Sequence, residues 1–206
     1  MVFLTSLTGM ELRIIAFFIE HITETFAIRE IARKTGIDYK LTHATIQKLA
    51  QKNILLKKRQ ANVDLCSLNL RNDLTQVHYA EMLRAQEFLK KHHELSIFFK
   101  SIMEKIKETF CTLLVFGSYA KETERKHSDV DILIIAPSRE PGEEIERIIN
   151  TESVFLKLKV QTIVLDEKEF IANLSDKKLN VVQEAFKNHV IITGVEPFYN
   201  GVKQTL

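Results

Sequence analysis

The chain contains no tryptophan and has only two cysteines, three prolines and six glycines among 206 residues. Two cysteines, Cys66 and Cys111, cannot build a disulfide framework, and there is no CxxC pair. A reducing cytoplasm is therefore the expected compartment. So little glycine and proline leaves no low-complexity linker. Long apolar runs are also missing. The longest is Ile14–Ile19, against the roughly 20 residues that a membrane span needs. The first residues lack the basic start and small-residue cleavage site of a secretory signal, so no membrane partner is expected. Net charge is small, because Lys+Arg 29 against Asp+Glu 27 leaves +2. A uniformly basic wrapper of nucleic acid is excluded at this level.

What remains is a 45% hydrophobic chain. It is long enough for one large domain or two small ones, each with a real core. The charge is unevenly spread. Residues 29–59 hold nine Lys/Arg against two acids, a local +7, while residues 1–28 stand at −2 and residues 60–206 at −3. The positive charge is concentrated in one short module.

Thr8-Gly-Met-Glu11 has the spacing of a capping box, followed by Leu12, Ile15, Ala16 and Ile19 at helical intervals. A second helix is expected over about Ala27–Thr35, closed by Gly36. A third runs to about Gln51, with Ile46, Leu49 and Ala50 inward. Ile54–Leu56 and Val63–Leu65 read as two short strands around a polar, basic tip, Lys57–Asn62. Three helices and a basic hairpin resemble the winged helix-turn-helix family over about residues 8–70. The resemblance implies a third helix in the major groove of double-stranded DNA and a wing on its backbone. Tyr39, Lys40, His43, Gln47 and Lys48 would face the groove, and Lys57, Lys58 and Arg59 would meet phosphates. A solvated basic face, or a wing used for protein contacts, is the other reading of the same residues.

Residues 73–92 read as helical. Leu95, Phe98, Phe99, Ile102, Ile106 and Phe110 then form one strong apolar stripe, read as core or as an interface. Three parts are expected: 1–70, a helical linker 71–94, and 95–206.

From Thr112 the pattern changes. Thr112–Phe116 reads as a buried strand, followed at once by Gly117-Ser118. Ten residues later Asp129-Val-Asp131 runs into a second apolar strand, Ile132–Ile135. Residues two apart on a strand share a face, so the two carboxylates should project together. Paired hard oxygens suit Mg²⁺, which also binds phosphate oxygens and water. Gly117 lets backbone N–H groups approach a phosphate closely, and the Ser118 hydroxyl can donate to it. A metal beside a phosphate cradle is the minimum apparatus for nucleotidyl transfer.

Gly117-Ser118, ten residues, then Asp129-x-Asp131 resembles the GS-x10-DxD motif of the DNA polymerase β-type nucleotidyltransferase superfamily, and more narrowly the minimal nucleotidyltransferases. Phe116, Tyr119-Ala120-Lys121 and Ser128 extend the likeness, which covers about residues 95–200. It implies a catalytic Asp129 and Asp131 that hold one or two Mg²⁺. It also implies nucleoside triphosphate binding by Gly117 and Ser118, with Lys121, Arg125 and Lys126 adding positive charge from the loop. For those three the alternative is a solvated turn, and His127 reads as a surface residue. The fold expected is α+β: a winged helix-turn-helix followed by a nucleotidyltransferase-like mixed sheet flanked by helices.

One position departs from the family pattern. Where active members carry a third carboxylate on a later strand, this chain has Gln161. An amide cannot act as a base at neutral pH. Asp166 reads first as a helix N-cap, with Glu152 the other candidate acid. The tail, with a helix through Leu179, Val182 and Phe186 and a strand Val190–Gly194, reads as structural.

Two functions follow. One is transfer of a nucleoside monophosphate to a hydroxyl acceptor, with a partner protein as one implied acceptor class beside small molecules and RNA ends. The other is a DNA-binding, antitoxin-like regulator that uses a degenerate site for ligand or partner sensing. A homodimer is expected, since winged helices often read palindromes as pairs.

Overall fold

The structure, a computed structural model, describes residues 7–106, 110–126, 128–176, 178 and 180–205. His127 and Leu179, singled out from the sequence, lie outside the described residues. The chain is mixed α+β and divides into two compact units, Met1–Glu81 and Met82–Leu206.

In the first unit α1 (Gly9–Ile19), β1 (Phe26–Ala27), α2 (Ile28–Thr35), α3 (Tyr39–Gln51), β2 (Leu55–Gln60) and β3 (Val63–Leu68) follow in order. The strands form an antiparallel sheet of order β1-β3-β2. The Thr8–Glu11 capping box opens α1. Gly36 closes α2 in the left-handed conformation at φ 66°, where a Cβ would be strained. Asp38 caps α3 by accepting from Lys40 and Leu41 N–H. Ile14, Ile15, Phe18, Ile31, Ile46 and Leu49 are fully buried between the helices.

The hairpin differs from the sequence expectation. Lys57–Gln60 belong to β2 rather than to a tip, and the turn is Ala61-Asn62. β2 is exposed after Leu55, so its polar side chains give no alternation to read. The ladder with β3 satisfies the backbone whatever the side chains are.

The boundary between the units falls within α4 (Thr75–Lys91). The second unit continues with α5 (His93–Lys105), β4 (Thr112–Phe116), α6 (Gly117–Ala120), β5 (Val130–Ala136), α7 (Arg139–Leu156), β6 (Val160–Asp166), α8 (Glu167–Ser175), α9 (Val181–Lys187), β7 (Val190–Thr193) and α10 (Val195–Lys203). Its mixed sheet has the order β6-β5-β4-β7, with β5 and β6 parallel and β4 antiparallel to both β5 and β7.

Leu113, Val115, Ile132 and Ile134 face a core shared with Leu95, Phe98, Phe99, Ile102, Ile145 and Ile149. Burying side chains of this size contributes roughly 1.5–3 kcal/mol each before entropy is charged. The apolar stripe ends earlier than its spacing suggests. Ile106 is already extended at the helix C-cap, and Phe110 is 71% exposed.

Candidate active site

The sheet connectivity gathers the sequence motif at one end. β4 finishes at Phe116, which stands opposite Asp131 in the antiparallel ladder. Gly117 and Ser118 therefore emerge beside the start of β5. β6 runs parallel to β5, so its first residues arrive at the same edge, with Gln161 opposite Asp131.

Gly117 has φ 69°, a conformation that side chains rarely adopt. A Cβ built on it would lie 2.0 Å from Asp131 Oδ2. The glycine is needed both for the turn and for the room it leaves the carboxylate. Ser118 is half-buried in the first turn of α6. Its carbonyl accepts from Thr123 N–H at 3.0 Å, which folds the following loop back onto the motif.

Asp129 precedes β5 and Asp131 is its second residue. Burial, then the negative charges of Asp129 and Glu184, push the Asp131 carboxyl above its usual range, while Lys121 opposes them. Gln161 Nε2 donates to Asp129 Oδ2 at 2.8 Å. The amide thus stands beside the acid pair and holds one of its members.

The other candidate acids are occupied elsewhere. Asp166 caps α8, accepting from Glu169 N–H at 2.8 Å in a full capping box. It pairs with Ala136 at the far end of the β5–β6 ladder. Glu152 is buried on α7 and bound to Lys105 and Ser101.

Lys121 ends α6 and its Nζ donates to Glu184 Oε1 at 2.6 Å. Arg125 and Lys126 are exposed, and the Arg125 N–H donates to Ser128 Oγ at 2.8 Å. Nothing in the local pattern around Glu184 marks it as part of this site. It lies 63 positions from Lys121, and only the sheet order joins them.

Residues 99–192 match the nucleotidyltransferase domain family. That span contains Gly117, Ser118, Asp129, Asp131, Gln161 and Glu184. The match supports nucleotidyl transfer as the general chemistry of the second unit, with a nucleotide as substrate. No curated protein and no solved structure matches the chain. Among the described residues no helix is long and apolar enough to cross a membrane.

The donor set of this site fits a hard divalent cation. Two carboxylates repel one another at one strand end, and a cation between them would relieve that repulsion. Among the described residues no group of three or more His, Cys, Asp and Glu could enclose a metal. An ion held here would need oxygens from substrate and water to complete its shell, which is the usual situation for Mg²⁺.

In the first unit, Tyr39, Lys40 and Lys48 are exposed on α3, and His43 and Gln47 are half-buried. Tyr39 carries the Arg29 guanidinium 5.9 Å from its ring centroid and lines one groove with Arg29, Arg59 and Asn62. Arg29, from the basic segment, and Asn62, from the end of the expected tip, were not among the residues expected to meet DNA, because neither lies on α3 or in the Lys57–Arg59 run.

Lys57, Lys58 and Arg59 project from β2, and Lys57 and Arg59 approach Asp64 at 3.5 and 3.9 Å. Lys52 turns to the buried Glu11 at 2.6 Å. The basic segment is therefore partly neutralised within its own unit.

Proposed function

We propose that this chain is a Mg²⁺-dependent nucleotidyltransferase of the minimal type, carried behind a winged helix that binds double-stranded DNA. The observation that carries the reading is the convergence of Gly117, Ser118, Asp129 and Asp131 at one sheet edge within the matched domain. Asp129 and Asp131 would hold the ion, which when bound neutralises phosphate charge and polarises the reacting phosphoryl group.

Gly117 leaves the backbone open to a phosphate, and Ser118 donates its hydroxyl. Lys121 and Arg125 supply charge from the loop. Gln161 fixes one Asp129 oxygen and leaves the other free to coordinate. The acceptor oxygen bonds to the α-phosphorus of the nucleoside triphosphate, pyrophosphate leaves, and the hydroxyl proton passes to solvent. A side-chain hydroxyl of a partner protein is the acceptor class that the likeness to the minimal nucleotidyltransferases favours, beside small molecules and RNA ends. Calorimetry with ATP, GTP, CTP and UTP in the presence of Mg²⁺ tests the reading. Binding by wild type and its loss in Asp129→Ala/Asp131→Ala are expected. No binding, or binding that survives the double variant, would overturn it.

Gln161 supports a second reading. Without a third carboxylate at that position, the site would bind nucleotide but transfer slowly or not at all. The chain would then act as an antitoxin-like DNA-binding regulator. Single-turnover assays with radiolabelled triphosphate separate the two: nucleotide binding without any labelled adduct favours the regulator.

A further inference from the structure

We propose that Glu184 is a built-in competitor for Lys121: it holds the ammonium until a metal-complexed polyphosphate displaces it, so the site discriminates against nucleotide that carries no metal. This rests on the nucleotide-binding reading of the same site.

Two independent observations lead here. The first is topological. β7 pairs antiparallel with β4, placing Val190 opposite Val115. The start of β7 is thus at the sheet end where β4 finishes and Gly117 turns. α9 ends at Lys187, three residues earlier, so the fold delivers α9 to the motif edge. The second is the contact itself, Lys121 Nζ to Glu184 Oε1 at 2.6 Å. Lys121 lies three residues beyond Ser118, as the C-cap of the short helix that carries the hydroxyl.

The pair is exposed, with 36% of the Lys121 side chain and 50% of the Glu184 side chain open to solvent. Such pairs contribute little to stability. This one can be broken at low cost, which suits an exchangeable partner rather than a structural strut. A triphosphate offers Lys121 several anionic oxygens in place of one carboxylate.

The same exchange leaves Glu184 unpaired, with its charge acting on Asp131. The added negative charge beside Asp131 repels a bare polyphosphate. A bound divalent cation cancels that repulsion, and the exchange then proceeds. Glu184 acts on the ligand through Lys121 and through the field of the site, so it is a positioning residue.

The test measures equilibrium binding of ATP, and of inorganic tripolyphosphate, with and without Mg²⁺. The proteins are wild type, Glu184→Gln, Lys121→Gln and the double variant. Glu184→Gln should bind both ligands two- to five-fold more tightly without Mg²⁺, the scale of an exposed pair. With Mg²⁺ the gain should be smaller. In the Lys121→Gln background most of the gain should vanish. Unchanged or weakened metal-free binding in Glu184→Gln, or the same gain with Lys121 removed, would overturn the proposal. Wild type that binds ATP with Mg²⁺ while Glu184→Gln shows no change sinks this inference alone. Wild type that binds neither ligand under any condition sinks the underlying reading with it.

Discussion

Gln161 donates its side-chain N–H to Asp129 while standing opposite Asp131 in the β5–β6 ladder. One residue is thereby tied to both members of the acid pair, to one by a side-chain hydrogen bond and to the other by strand register. Replacing it by glutamate exchanges a donor for a third anion. Gln161→Glu should bind Mn²⁺ or Mg²⁺ several-fold more tightly and raise any single-turnover transfer rate. The metal-free protein should melt lower, because three carboxylates then share one edge. Calorimetric metal titration and thermal melting check both halves.

Asp131 sits where burial and like charge disfavour its anion. A raised folded pKa means that ionisation costs stability at neutral pH, with the cost appearing as pH rises through the folded value. Asp131→Asn should stabilise the metal-free protein by about 0.5 kcal/mol, the scale of partly exposed charge interactions, while abolishing metal-dependent nucleotide binding. Chemical denaturation set beside calorimetry would show a gain in stability accompanied by a loss of binding.

Gly117→Ala brings a Cβ within 2.0 Å of Asp131 Oδ2 at a positive φ. The backbone strain alone costs about 1 kcal/mol, and the carboxylate must also move. Gly36→Ala, likewise at positive φ but with nothing within 4 Å of its Cβ, should cost only the strain. Melting curves of the two variants separate strain from displacement, and only Gly117→Ala should also lose nucleotide binding.

Glu11 is pushed up by burial, but hydrogen bonds from Lys52 and Thr8 outweigh that and leave its carboxyl below the usual range. A lowered folded pKa gives stability that is present above the unfolded value, roughly 4.3. That stability is lost as pH falls through the folded value. Wild type should therefore lose stability between about pH 5 and 3, and Glu11→Gln should flatten that limb at a cost in stability near pH 7. Denaturant midpoints followed against pH give the answer.

DNA binding by the first unit should fall steeply with salt, with a slope of about 0.9 for each phosphate contact. Lys57→Ala/Lys58→Ala/Arg59→Ala should lower the slope by two to three contacts' worth. Asp64 lies against two of these residues, so Asp64→Asn should tighten binding several-fold at low salt. Fluorescence anisotropy across a salt series measures both effects. Salt-independent binding would remove the winged-helix proposal.

Most local structure was legible because its causes are local. Thr8 with Glu11, Asp166 with Glu169, and Gly36 after α2 are spacing signals that act within one turn. The Gly-Ser and Asp-x-Asp elements lay against two short apolar runs that read as buried strands. What was not legible depends on tertiary pairing. β2 is polar after Leu55, and its strand character comes from β3. Phe110 continues a helical spacing, yet the helix has stopped at Lys105. Glu184 looks like an ordinary surface acid until β7 is placed beside β4. Gln161 could be flagged as a missing carboxylate, but its bond to Asp129 appears only once β6 lies beside β5.

The Phe116–Asp131 register also gives the ten-residue interval of the motif a mechanical meaning. Two antiparallel strands set those residues side by side, and the intervening chain only has to turn back. A residue inserted among positions 121–126 would be taken up by the loop. One inserted within β4 or at the start of β5 would slip the ladder by a single step and take Asp131 out of register with Phe116. The strand pairing therefore works as the ruler of this site, and the spacing read along the chain is its imprint.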